Sequence, residues 1–553
     1  MSLLIGNFKM SLPQKHTVLC LIVICAISLG FKLYLVDFSI PVHSDNLAYA
    51  LNAIAHSNGD FTQPPHRGIG WSMFLSIFFS FVDSDNFLDY SNLSRIVSIS
   101  VATSSIFLIY GVARKFFDER YSLVTSCLFA FLPHLNHNSI MGLSEPIFIL
   151  TILASFYFIL NNKLKFVAIS FILAGLVYWI RLNGLIIFIV ISLTYILTFK
   201  KSQNFLRNYG IGLIFFILIL SPMLLQKYEQ FGDPFYSPFQ GSMFSENYEQ
   251  LVSNMTSNTD SSALDYIQNN GIVAFFGTFF LEGFVNSLSI LSQLSFPYLF
   301  ILLPFGILFS LRAFDQKSQY IKANWIFIIS SILLMSVIIS VIPEKRFLFF
   351  LMPFLVIFSV IPIQRVTEYG LNTFSFSRKQ KNIFLIIVLI IVIILSGMFT
   401  LRYEKPDHIL ENEKFDFSTF ALENLNGNAL RDYGGSTDYV TDVVLIHNND
   451  FRDFKIDYWI DKTERNKYEF REIGVYAENI KDLILNGENL DLQYLISNNQ
   501  KTFYYPFVDD VYHNEKNFPY LIKVFDSEEY GYQKLKIKVF EIDYKKFHEM
   551  MSG

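Results

Sequence analysis

The sequence predicts an α-helical polytopic membrane protein with a C-terminal α/β domain outside the cytoplasm. Of its 553 residues, 52% are hydrophobic and 17% are aromatic, and the mean hydropathy is +0.37. The apolar residues fall in runs of about 17 to 25, the length that a helix rising about 1.5 Å per residue needs to cross a hydrocarbon core about 30 Å thick. Only after Tyr403 does the composition become that of a soluble domain.

About eleven apolar segments are expected to span the membrane, because a helix satisfies its own backbone hydrogen bonds in lipid. They cover residues 17–36, 93–116, 121–133, 145–160, 166–180, 184–199, 209–225, 296–311, 325–342, 347–362 and 383–400. The first resembles a signal peptide in length, but it lacks a clear small-residue cleavage site. It is therefore expected to remain as an uncleaved span.

Basic residues cluster in alternate loops between these segments. The clusters are Lys9 with Lys15; Arg114, Lys115 and Arg120; Lys163 with Lys165; Lys200, Lys201 and Arg207; Arg312, Lys317 and Lys322; and Arg365, Arg378, Lys379 and Lys381. All fall on one side, which the positive-inside rule identifies as the cytoplasm. The N-terminus is then cytoplasmic, and the odd number of spans places the C-terminus outside a multi-pass protein of the cell membrane.

The remaining composition excludes several classes of partner and site. The net charge is −5 and the basic residues form no long tract, which argues against nucleic acid as a partner. All three cysteines, Cys20, Cys25 and Cys127, lie in apolar runs. They predict neither a disulfide framework nor a metal site.

The first region expected outside lies between the first two spans. Residues 44–57 have apolar side chains at helical spacing, with Asn52 and His56 among the polar residues between them. This pattern predicts an amphipathic helix in the membrane interface, with Ser44 as its N-cap. After a double-proline turn, the short apolar segment 69–82 predicts a second interfacial or half-buried helix.

The second outside region precedes the span at 296–311. Residues 240–270 are rich in Ser and Asn and predict a loop, within which Asn254-Met255-Thr256 forms an N-glycosylation acceptor sequence. Residues 272–294 are apolar but include Glu282, and a juxtamembrane helix is predicted there. A transmembrane helix stays open as the alternative, if it pairs with a second missed span.

Residues 402–553 are expected to form the extracytoplasmic soluble α/β domain. Strand-like runs occur at 443–446, 493–496, 520–525 and 535–540. Turns or helices are expected between them, at 432–442 and 478–485. The domain has no phosphate-cradling glycine loop and no metal-ligand spacing, which favours a structural or acceptor-binding role.

Several basic residues on the outer side oppose the positive-inside trend. They are His66, Arg67, Arg181, Lys345 and Arg346. The planar fork of Arg binds phosphate oxygens and Lys adds a compact charge, so together they suit an anionic lipid headgroup. Each one alone is explained as well by snorkelling, or by pairing with a carboxylate such as that of Glu344.

Asp45 follows the first span and lies on the same outer side. At the start of a helix its charge is favoured by the helix dipole, which is a structural explanation. Beside a bound lipid phosphate, however, a carboxylate can also act as general base on an acceptor hydroxyl.

One stretch resembles the first outer loop of the GT-C glycosyltransferases: His43-Ser44-Asp45-Asn46-Leu47-Ala48-Tyr49-Ala50-Leu51, then Gly59-Asp60, Pro64-Pro65 and Arg95. The likeness is greatest to the protein O-mannosyltransferase and aminoarabinose-transferase-like branch, which is glycosyltransferase family 39-like. Other stretches that resemble this branch are Ser144-Glu145-Pro146, Arg181, and Glu344-Lys345-Arg346-Phe347 with Pro353. The likeness thus covers most of residues 17–365.

The resemblance implies a GT-C-like helical bundle over residues 1–401, with interfacial helices in its first outer loop. Its implied activity is transfer of a sugar, mannose or another hexose, from a polyprenyl- or dolichyl-phosphate donor, with inversion at the anomeric carbon. The acceptor would be a protein, a glycan or a lipid outside the cytoplasm.

The resemblance also implies roles for single residues. Asp45 would be the general base. The donor phosphate would contact Arg181, Lys345, Arg346 and Arg67, and the supporting residues would be His66, Asp60 and Glu145. For Glu145, Ser144 as an N-cap and Pro146 in the first helical turn provide a structural explanation, which we favour.

Two departures from the family bear on metal dependence. Many relatives have a second acidic residue directly after the first-loop Asp, where this chain has Asn46, and some carry a carboxylate where Gln63 stands. We therefore predict no cofactor and no essential metal, with a divalent metal at Asp45, Asp60 and His66 as the alternative.

A second match is discounted. The sequence Leu430-Arg431-Asp432-Tyr433-Gly434 resembles the Trp-Trp-Asp-Tyr-Gly signature of oligosaccharyltransferases but lacks both tryptophans. Asp and Gly are common in turns, so a loop is expected there and transfer of a whole oligosaccharide is not.

The main rival function is that of a transporter or a flippase for lipid-linked sugars. Such proteins have repeated halves, broken helices and ionisable residues near the bilayer midplane. This sequence shows no convincing repeat, and its charges lie at the ends of spans. A membrane-anchored receptor is a third alternative, but it does not require basic residues at so many outer ends.

Overall fold

The computed structural model describes residues 12–42, 45–61, 67–237, 243–245, 262–311, 318–431, 435–447, 470–499 and 505–552. The chain divides into two compact units. The first, the helical unit, comprises Met1–Val36, Gly59–Phe78 and Leu93–Lys405. The second, the α/β unit, comprises Asp37–Asn58, Phe79–Asn92 and Pro406–Gly553.

The helices precede the sheet in the chain. The first ten are α1 (Leu12–Leu35), α2 (Asp45–Ser57), α3 (Gly70–Phe79), α4 (Phe87–Phe116), α5 (Glu119–Ala130), α6 (Pro133–Ile140), α7 (Glu145–Ile159), α8 (Leu164–Ile180), α9 (Gly184–Phe199) and α10 (Phe205–Phe231). They are followed by α11 (Ala263–Phe276), α12 (Gly283–Leu294), α13 (Leu299–Ser310), α14 (Ser318–Val341), α15 (Met352–Arg365), α16 (Leu371–Thr373), α17 (Arg378–Phe399) and α18 (His408–Asn424). A 3₁₀ helix covers Lys345–Leu351, and π-helical turns cover Gly277–Glu282, Val366–Gly370 and Thr400–Glu404.

Within the described residues, seven helical stretches are long and apolar enough to cross a membrane. They are Lys15–Leu35, Phe87–Phe116, Phe205–Phe231, Ala263–Leu294, Gln319–Val341, Lys345–Thr373 and Arg378–Asn424. Shorter apolar helices are Gly70–Phe79, Glu145–Ile159, Leu164–Ile180, Gly184–Phe199 and Leu299–Ser310. The protein is therefore a mostly helical membrane protein, as the sequence predicts.

Two of the predicted segments differ from expectation. The span expected at 121–133 is a helix of only 12 residues, because the helix ends before Pro133, which begins α6. The segment 272–294 belongs to a helical stretch of 32 residues. That stretch has the length and composition of a span, the alternative that the sequence leaves open, and it bends at Gly271, where φ is 85°.

The helices pack closely where glycine permits backbone contact. A Cβ atom on Gly283 would lie 2.0 Å from the carbonyl oxygen of Ser336, and one on Gly306 would lie 2.1 Å from that of Phe358. Small residues allow helices in lipid to gain van der Waals contact along their backbones. Glycine at these two positions therefore permits α12 to meet α14, and α13 to meet α15.

Several hydrogen bonds connect the ends of different helices in the helical unit. They join Lys115 to Asn161, Tyr195 and Ser202 to Asn162, and Arg120 to Glu368. The orientation of these ends relative to the cytoplasm stays a prediction.

The α/β unit contains a five-stranded sheet in the order β2-β1-β3-β5-β4. Its strands are β1 (Asn428–Leu430), β2 (Arg471–Ile473), β3 (Leu492–Asn498), β4 (Leu521–Asp526) and β5 (Ile537–Ile542), with helices α19 (Val440–His447), α20 (Ile480–Glu488), α21 (Val508–His513) and α22 (Tyr544–Ser552). The first three strands are parallel, and β5 is antiparallel to both of its neighbours. Leu495 and Phe540 pair across β3 and β5 and are buried.

The strands predicted at 493–496, 520–525 and 535–540 are confirmed, and the segment 478–485, predicted as a turn or a helix, lies mainly in helix α20. The strand predicted at 443–446 is wrong, because this segment belongs to helix α19. A run of four apolar residues has no distinguishing periodicity, since it fits a buried helix as well as a buried strand. Val443 and Leu445 are both buried.

Helix α2 forms where the sequence predicts it, but the exposed polar face that was expected is absent. Asn46, Asn52 and His56 are 0%, 4% and 3% exposed, like the apolar residues between them. A helix at the interface would keep such side chains in water. The amphipathic pattern therefore does not correspond to a solvent-exposed polar face, and the interfacial position of α2 stays a prediction. Ser44, the predicted N-cap, lies outside the described residues.

Candidate functional site

Arg181 ends helix α8 in the helical unit. Its backbone is extended, with φ −147° and ψ 139°, while its N–H still donates to the carbonyl oxygen of Val177. Its guanidinium Nη1 forms an ion pair with Oε1 of Glu145 and lies 3.4 Å from Oγ of Ser144. The side chains of Arg181 and Glu145 are 13% and 3% exposed. The pair thus joins the end of α8 to the start of α7.

This pair changes the interpretation of the Ser144-Glu145-Pro146 sequence. Ser144 has helical backbone angles, φ −78° and ψ −13°, and its side chain makes no capping hydrogen bond. Ser144 thus occupies the predicted N-cap position without capping the helix through its side chain, and Pro146 lies in the first turn as predicted. Glu145 instead fixes Arg181, and its Oε2 is buried without a hydrogen-bond partner among the described residues.

The Arg181 and Arg346 side chains lie against the same aromatic ring. The guanidinium carbon of Arg181 is 5.6 Å from the ring centre of Phe347, and that of Arg346 is 5.9 Å from it. Arg181 is also 5.8 Å from the ring centre of Phe148. Nε of Arg346 forms an ion pair with Glu344. Two basic residues that the sequence selected separately therefore lie close together.

Arg181 keeps donors that the described residues do not use. Its Nη1 bonds to Glu145 and Ser144, whereas in the described part of the chain its Nε and Nη2 donate to no protein group. The ring of Phe347 and the carboxylate of Glu145 fix the position of the guanidinium. An oxyanion that approaches the other edge would thus meet two oriented N–H donors.

The segment after Arg67 packs against the end of α8. A Cβ atom on Gly68 would lie 2.4 Å from the carbonyl oxygen of Trp179, and one on Gly70 would lie 2.8 Å from the backbone nitrogen of Ile180. Because Gly68 touches the residues just before Arg181, the backbone of Arg67 lies beside the end of α8. His66 lies outside the described residues.

The same segment is also tied to the start of α7. The indole nitrogen of Trp71 donates to the carbonyl oxygen of Gly142 at 3.0 Å. Gly142 has φ 68°, in the left-handed region, and stands two residues before Ser144. The first loop, α7 and α8 thus meet around the Arg181–Glu145 pair.

Lys345 lies in the 3₁₀ helix Lys345–Leu351 and interacts electrostatically with Glu404. The carboxylate of Glu404 is 3.0 Å from Nδ1 of His134, whose Nε2 is 3.3 Å from the carbonyl oxygen of Gln293. His134 and Glu404 were missed in the sequence, where a lone His in an apolar run is more often structural. Their pairing extends the charged cluster beyond Lys345.

Lys227 is a second basic residue that the sequence did not indicate. It is completely buried near the end of α10, where its Nζ donates to the carbonyl oxygen of Tyr236 at 2.8 Å and lies 5.9 Å from the ring centre of Tyr178. Tyr178 lies three residues before Arg181 in α8. The sequence does not single out Lys227, and only the fold shows that its side chain is buried.

Asp60 is exposed in the helical unit. The adjacent Phe61 accepts a hydrogen bond through its carbonyl oxygen from the side chain of Gln226, near the end of α10. The structure therefore places Asp60 beside α10, whereas the Arg181–Glu145 pair lies at α7 and α8.

Asp45 belongs to the α/β unit, where it is the first residue of α2 and half-buried. A carboxylate in the first turn of a helix is stabilised by the helix dipole. The neighbouring Asn46 is fully buried. His43 and Ser44 lie outside the described residues.

The described residues do not provide a metal-ligand set. No three His, Cys, Asp or Glu side chains among them come together as ligands of one ion. We therefore derive no catalytic step through a metal.

Two predicted sequence features fall outside the described residues. These are the Asn254-Met255-Thr256 acceptor sequence, and Asp432-Tyr433-Gly434 of the discounted oligosaccharyltransferase match.

Comparison with known proteins gives similarity at the level of structure. No protein-family model matches the chain, and no curated protein matches it. The crystal structure of the Archaeoglobus fulgidus oligosaccharyltransferase in complex with Zn and sulfate is similar, with TM-score 0.54 and 15% identity, over 89% of this chain and 69% of that chain.

Two further solved structures are similar. Archaeal oligosaccharyltransferase AglB from Archaeoglobus fulgidus, in complex with an inhibitory peptide and a dolichol-phosphate, gives TM-score 0.52 and 14% identity, over 86% of this chain and 69% of that chain. ArnT from Cupriavidus metallidurans, bound to undecaprenyl phosphate, gives TM-score 0.48 and 10% identity, over 94% of this chain and 97% of that chain. The two archaeal likenesses show that this chain shares a fold with the archaeal oligosaccharyltransferase.

Proposed function

We propose that this protein is a membrane glycosyltransferase. It transfers a sugar, mannose or another hexose, from a polyprenyl- or dolichyl-phosphate donor to a protein, glycan or lipid acceptor outside the cytoplasm. The GT-C fold supports this proposal, since the archaeal neighbour with that fold binds a dolichol-phosphate. The first-loop resemblance to the mannosyltransferase and aminoarabinose-transferase branch supports a single sugar as the group transferred.

The observation that carries the proposal is the pair of guanidinium groups around Phe347. Arg181 is held by its ion pair with Glu145 and offers Nε and Nη2 as donors. The guanidinium of Arg346 contacts the same Phe347 ring. A phosphate has several oxygens that accept such planar, charged donors. A transporter of neutral solutes has no need of this arrangement.

The basic residues act on the leaving group. When the bond between the anomeric carbon and the phosphate oxygen breaks, negative charge builds up on the lipid phosphate. Fixed donors stabilise that charge without reorganising at the moment of reaction. Arg181 and Arg346 hold the phosphate, while Lys345 and Arg67 add positive charge.

Asp45 is the proposed general base. It accepts the proton of the acceptor hydroxyl as the acceptor oxygen bonds to the anomeric carbon, and the lipid phosphate departs from the opposite face. The configuration at the anomeric carbon is inverted. Asp60 and His66 are proposed as supporting residues. The sequence resemblance supports these roles, and each is tested separately.

The topology proposed here keeps the N-terminus in the cytoplasm and residues 402–553 outside the cell membrane. Within that region apolar clusters pack on both faces of the sheet, and the sheet contributes no residue to the proposed chemistry. Its proposed role is structural or acceptor-binding.

The proposal is tested with purified protein, labelled polyprenyl-phosphate sugars and an acceptor extract. Arg346→Ala is expected to weaken binding of the polyprenyl phosphate at least tenfold, because a charge-assisted hydrogen bond contributes about 1.5–3 kcal/mol. Lys163→Ala is the matched control, since it removes an exposed cation from the other end of α8. Equal donor affinity in the wild type and Arg346→Ala would reject the phosphate site.

The role of Asp45 needs its own variant. Asp45→Asn is expected to bind the donor normally and to lower the transfer rate by about 10²–10⁴-fold, the usual contribution of a general base. Undiminished transfer would reject Asp45 as the base. Flux of lipid-linked sugar across proteoliposomes without a new glycosidic bond would favour the flippase alternative.

A further inference from the structure

A lysine is buried in the first helix of the helical unit. Lys32 lies one turn before the end of α1 and is 3% exposed. Its Nζ donates to Oγ of Ser28, whose hydroxyl donates in turn to the carbonyl oxygen of Ala130 at 3.1 Å. An ammonium group has three N–H donors, and Ser28 uses one of them.

No carboxylate compensates the charge of Lys32. Throughout the part of the chain that the structure describes, no Asp or Glu forms an ion pair with this residue. An unpaired charge within a membrane helix bundle is costly, and such residues face a partner or a polar cavity.

Lys32 borders a small cavity of about 20 Å³. Ser105, Asn136 and Asn138 supply polar groups to its wall, and the rest of the lining is mainly apolar. Asn136 is 2% exposed, and its Nδ2 has no hydrogen-bond acceptor among the described residues. The cavity thus combines a positive charge with an unused amide donor.

The volume restricts what can occupy the cavity. A space of roughly 10–15 Å³ is enough for one water molecule, so this one holds a single water-sized particle. A phosphate group on a lipid does not fit. Water fits, but it leaves the charge of Lys32 uncompensated. A chloride ion is somewhat larger than a water molecule, but it can accept hydrogen bonds from ammonium and amide N–H donors and neutralise the ammonium.

We propose that this cavity binds a small inorganic anion, with chloride as the ligand, held by Lys32 and Asn136. The anion joins α1 to α6 through these two side chains. Pro146 also lines the cavity, directly after Glu145. The anion therefore stabilises the bundle beside the start of α7, independently of any sugar transfer.

The test compares thermal unfolding of the purified full chain in sodium chloride and in sodium gluconate at equal ionic strength. Chloride is expected to raise the melting temperature saturably by about 2 °C or more, because a ligand that binds only the folded state stabilises it. In Lys32→Met this increment disappears. Lys115→Met is the control, since Lys115 bonds to Asn161 and lies away from the cavity; it keeps the full increment.

If Lys32→Met does not fold, a second variant tests anion binding in the cavity. Asn136→Asp places a carboxylate in the wall of the cavity that Lys32 also lines, and so supplies an internal anion. This variant is expected to melt at the same temperature in chloride and gluconate. A chloride response in Asn136→Asp equal to that of the wild type would overturn the proposal, as would equal wild-type melting in both salts, the result expected for a water molecule.

Discussion

Glu145 receives the guanidinium of Arg181 in an ion pair that is almost entirely removed from solvent. The pair links α7 to α8 and leaves two donors of Arg181 unused by the described protein. In the proposed site, Glu145 is therefore a positioning residue that acts on a phosphate only through Arg181.

The first prediction separates the stability of this pair from its function. Glu145→Ala is expected to destabilise the helical unit by about 3–5 kcal/mol, since it leaves a buried charge unpaired. The double variant Glu145→Leu with Arg181→Met is expected to regain most of that stability and to bind no polyprenyl phosphate. Thermal unfolding and donor binding measure the two effects. Donor binding by the double variant would show that Arg181 is only structural.

The second prediction concerns the ring shared by Arg181 and Arg346. Phe347→Leu keeps an apolar side chain but removes both cation–ring contacts, each of which contributes about 0.5–2 kcal/mol. Donor affinity is expected to fall about tenfold, with little loss of stability. Phe349→Leu is the matched control, because Phe349 is buried in the same 3₁₀ helix. Equal affinities in the two variants would contradict the role of the ring.

The third prediction concerns the contact between the first loop and α8. The added methyl group in Gly68→Ala would meet the Trp179 carbonyl at 2.4 Å, so the backbone must shift. A destabilisation of about 1–3 kcal/mol is expected, together with weaker donor binding as Arg67 moves. Gly30→Ala, with open space around its Cβ position, serves as control. The prediction fails if both variants unfold at the wild-type temperature.

The fourth prediction concerns Glu413 in the α/β unit. Its carboxylate accepts hydrogen bonds from the backbone N–H groups of Gln533, Lys534 and Leu535, at 2.6, 2.9 and 2.7 Å. Glu413→Ala leaves three donors without an acceptor and is expected to cost about 3 kcal/mol.

Hydrogen exchange in the segment before β5 measures this effect. The exposed Glu423 lies on the same helix, so Glu423→Ala is the control and is expected to leave exchange unchanged. Wild-type protection in Glu413→Ala would mean that other contacts hold the segment.

The fifth prediction is a pH dependence in strand β4. Burial raises the pKa of Asp526, but hydrogen bonds from Lys523 and from the N–H of Glu528 lower it by more. The pKa of Asp526 in the folded protein is therefore below its usual value. A carboxyl whose pKa is lower in the folded state stabilises the fold above its unfolded pKa of about 3.9. That stabilisation is lost as the pH falls through the folded pKa.

Acid unfolding of the α/β unit tests this dependence. Asp526→Asn is expected to be less stable than the wild type at neutral pH and to lose less stability between about pH 5 and pH 2. Tyr fluorescence and hydrogen exchange in β4 report the transition. Parallel acid profiles for the two proteins would exclude Asp526 as a source of the dependence.

The sequence predicts the helices well because membrane helices need apolar runs of fixed length. It also selects Arg181 and Arg346, since cations outside the cytoplasm oppose the usual bias. It does not predict that Glu145 pairs with Arg181, because a cap at Ser144 explains the same residues locally. That distinction depends on where α8 ends relative to α7, which is set by tertiary packing.

Other features were not predicted because they also depend on tertiary packing or lack a periodic pattern. His134 and Glu404 lie far apart in the chain, and only the fold brings them together beside Lys345. Helix α19 was assigned as a strand because four apolar residues show no periodicity. Helix α2 was expected to keep a polar face in water, but burial of Asn46 and His56 depends on neighbours that its own pattern does not reveal.

In the 3₁₀ helix Lys345–Leu351, the number of residues determines the direction of each side chain. It repeats every three residues, so its side chains form three columns, each 120° from the next. Lys345 begins the first column and Arg346 begins the second. Phe347 and Phe350 share the third column, and the ring of Phe350 contacts Phe148 edge to face. Deleting a single residue after Phe347 would rotate all later side chains by one column and break this match. An insertion or deletion here is therefore expected to be less tolerable than many substitutions, because the number of residues sets the direction in which each of them points.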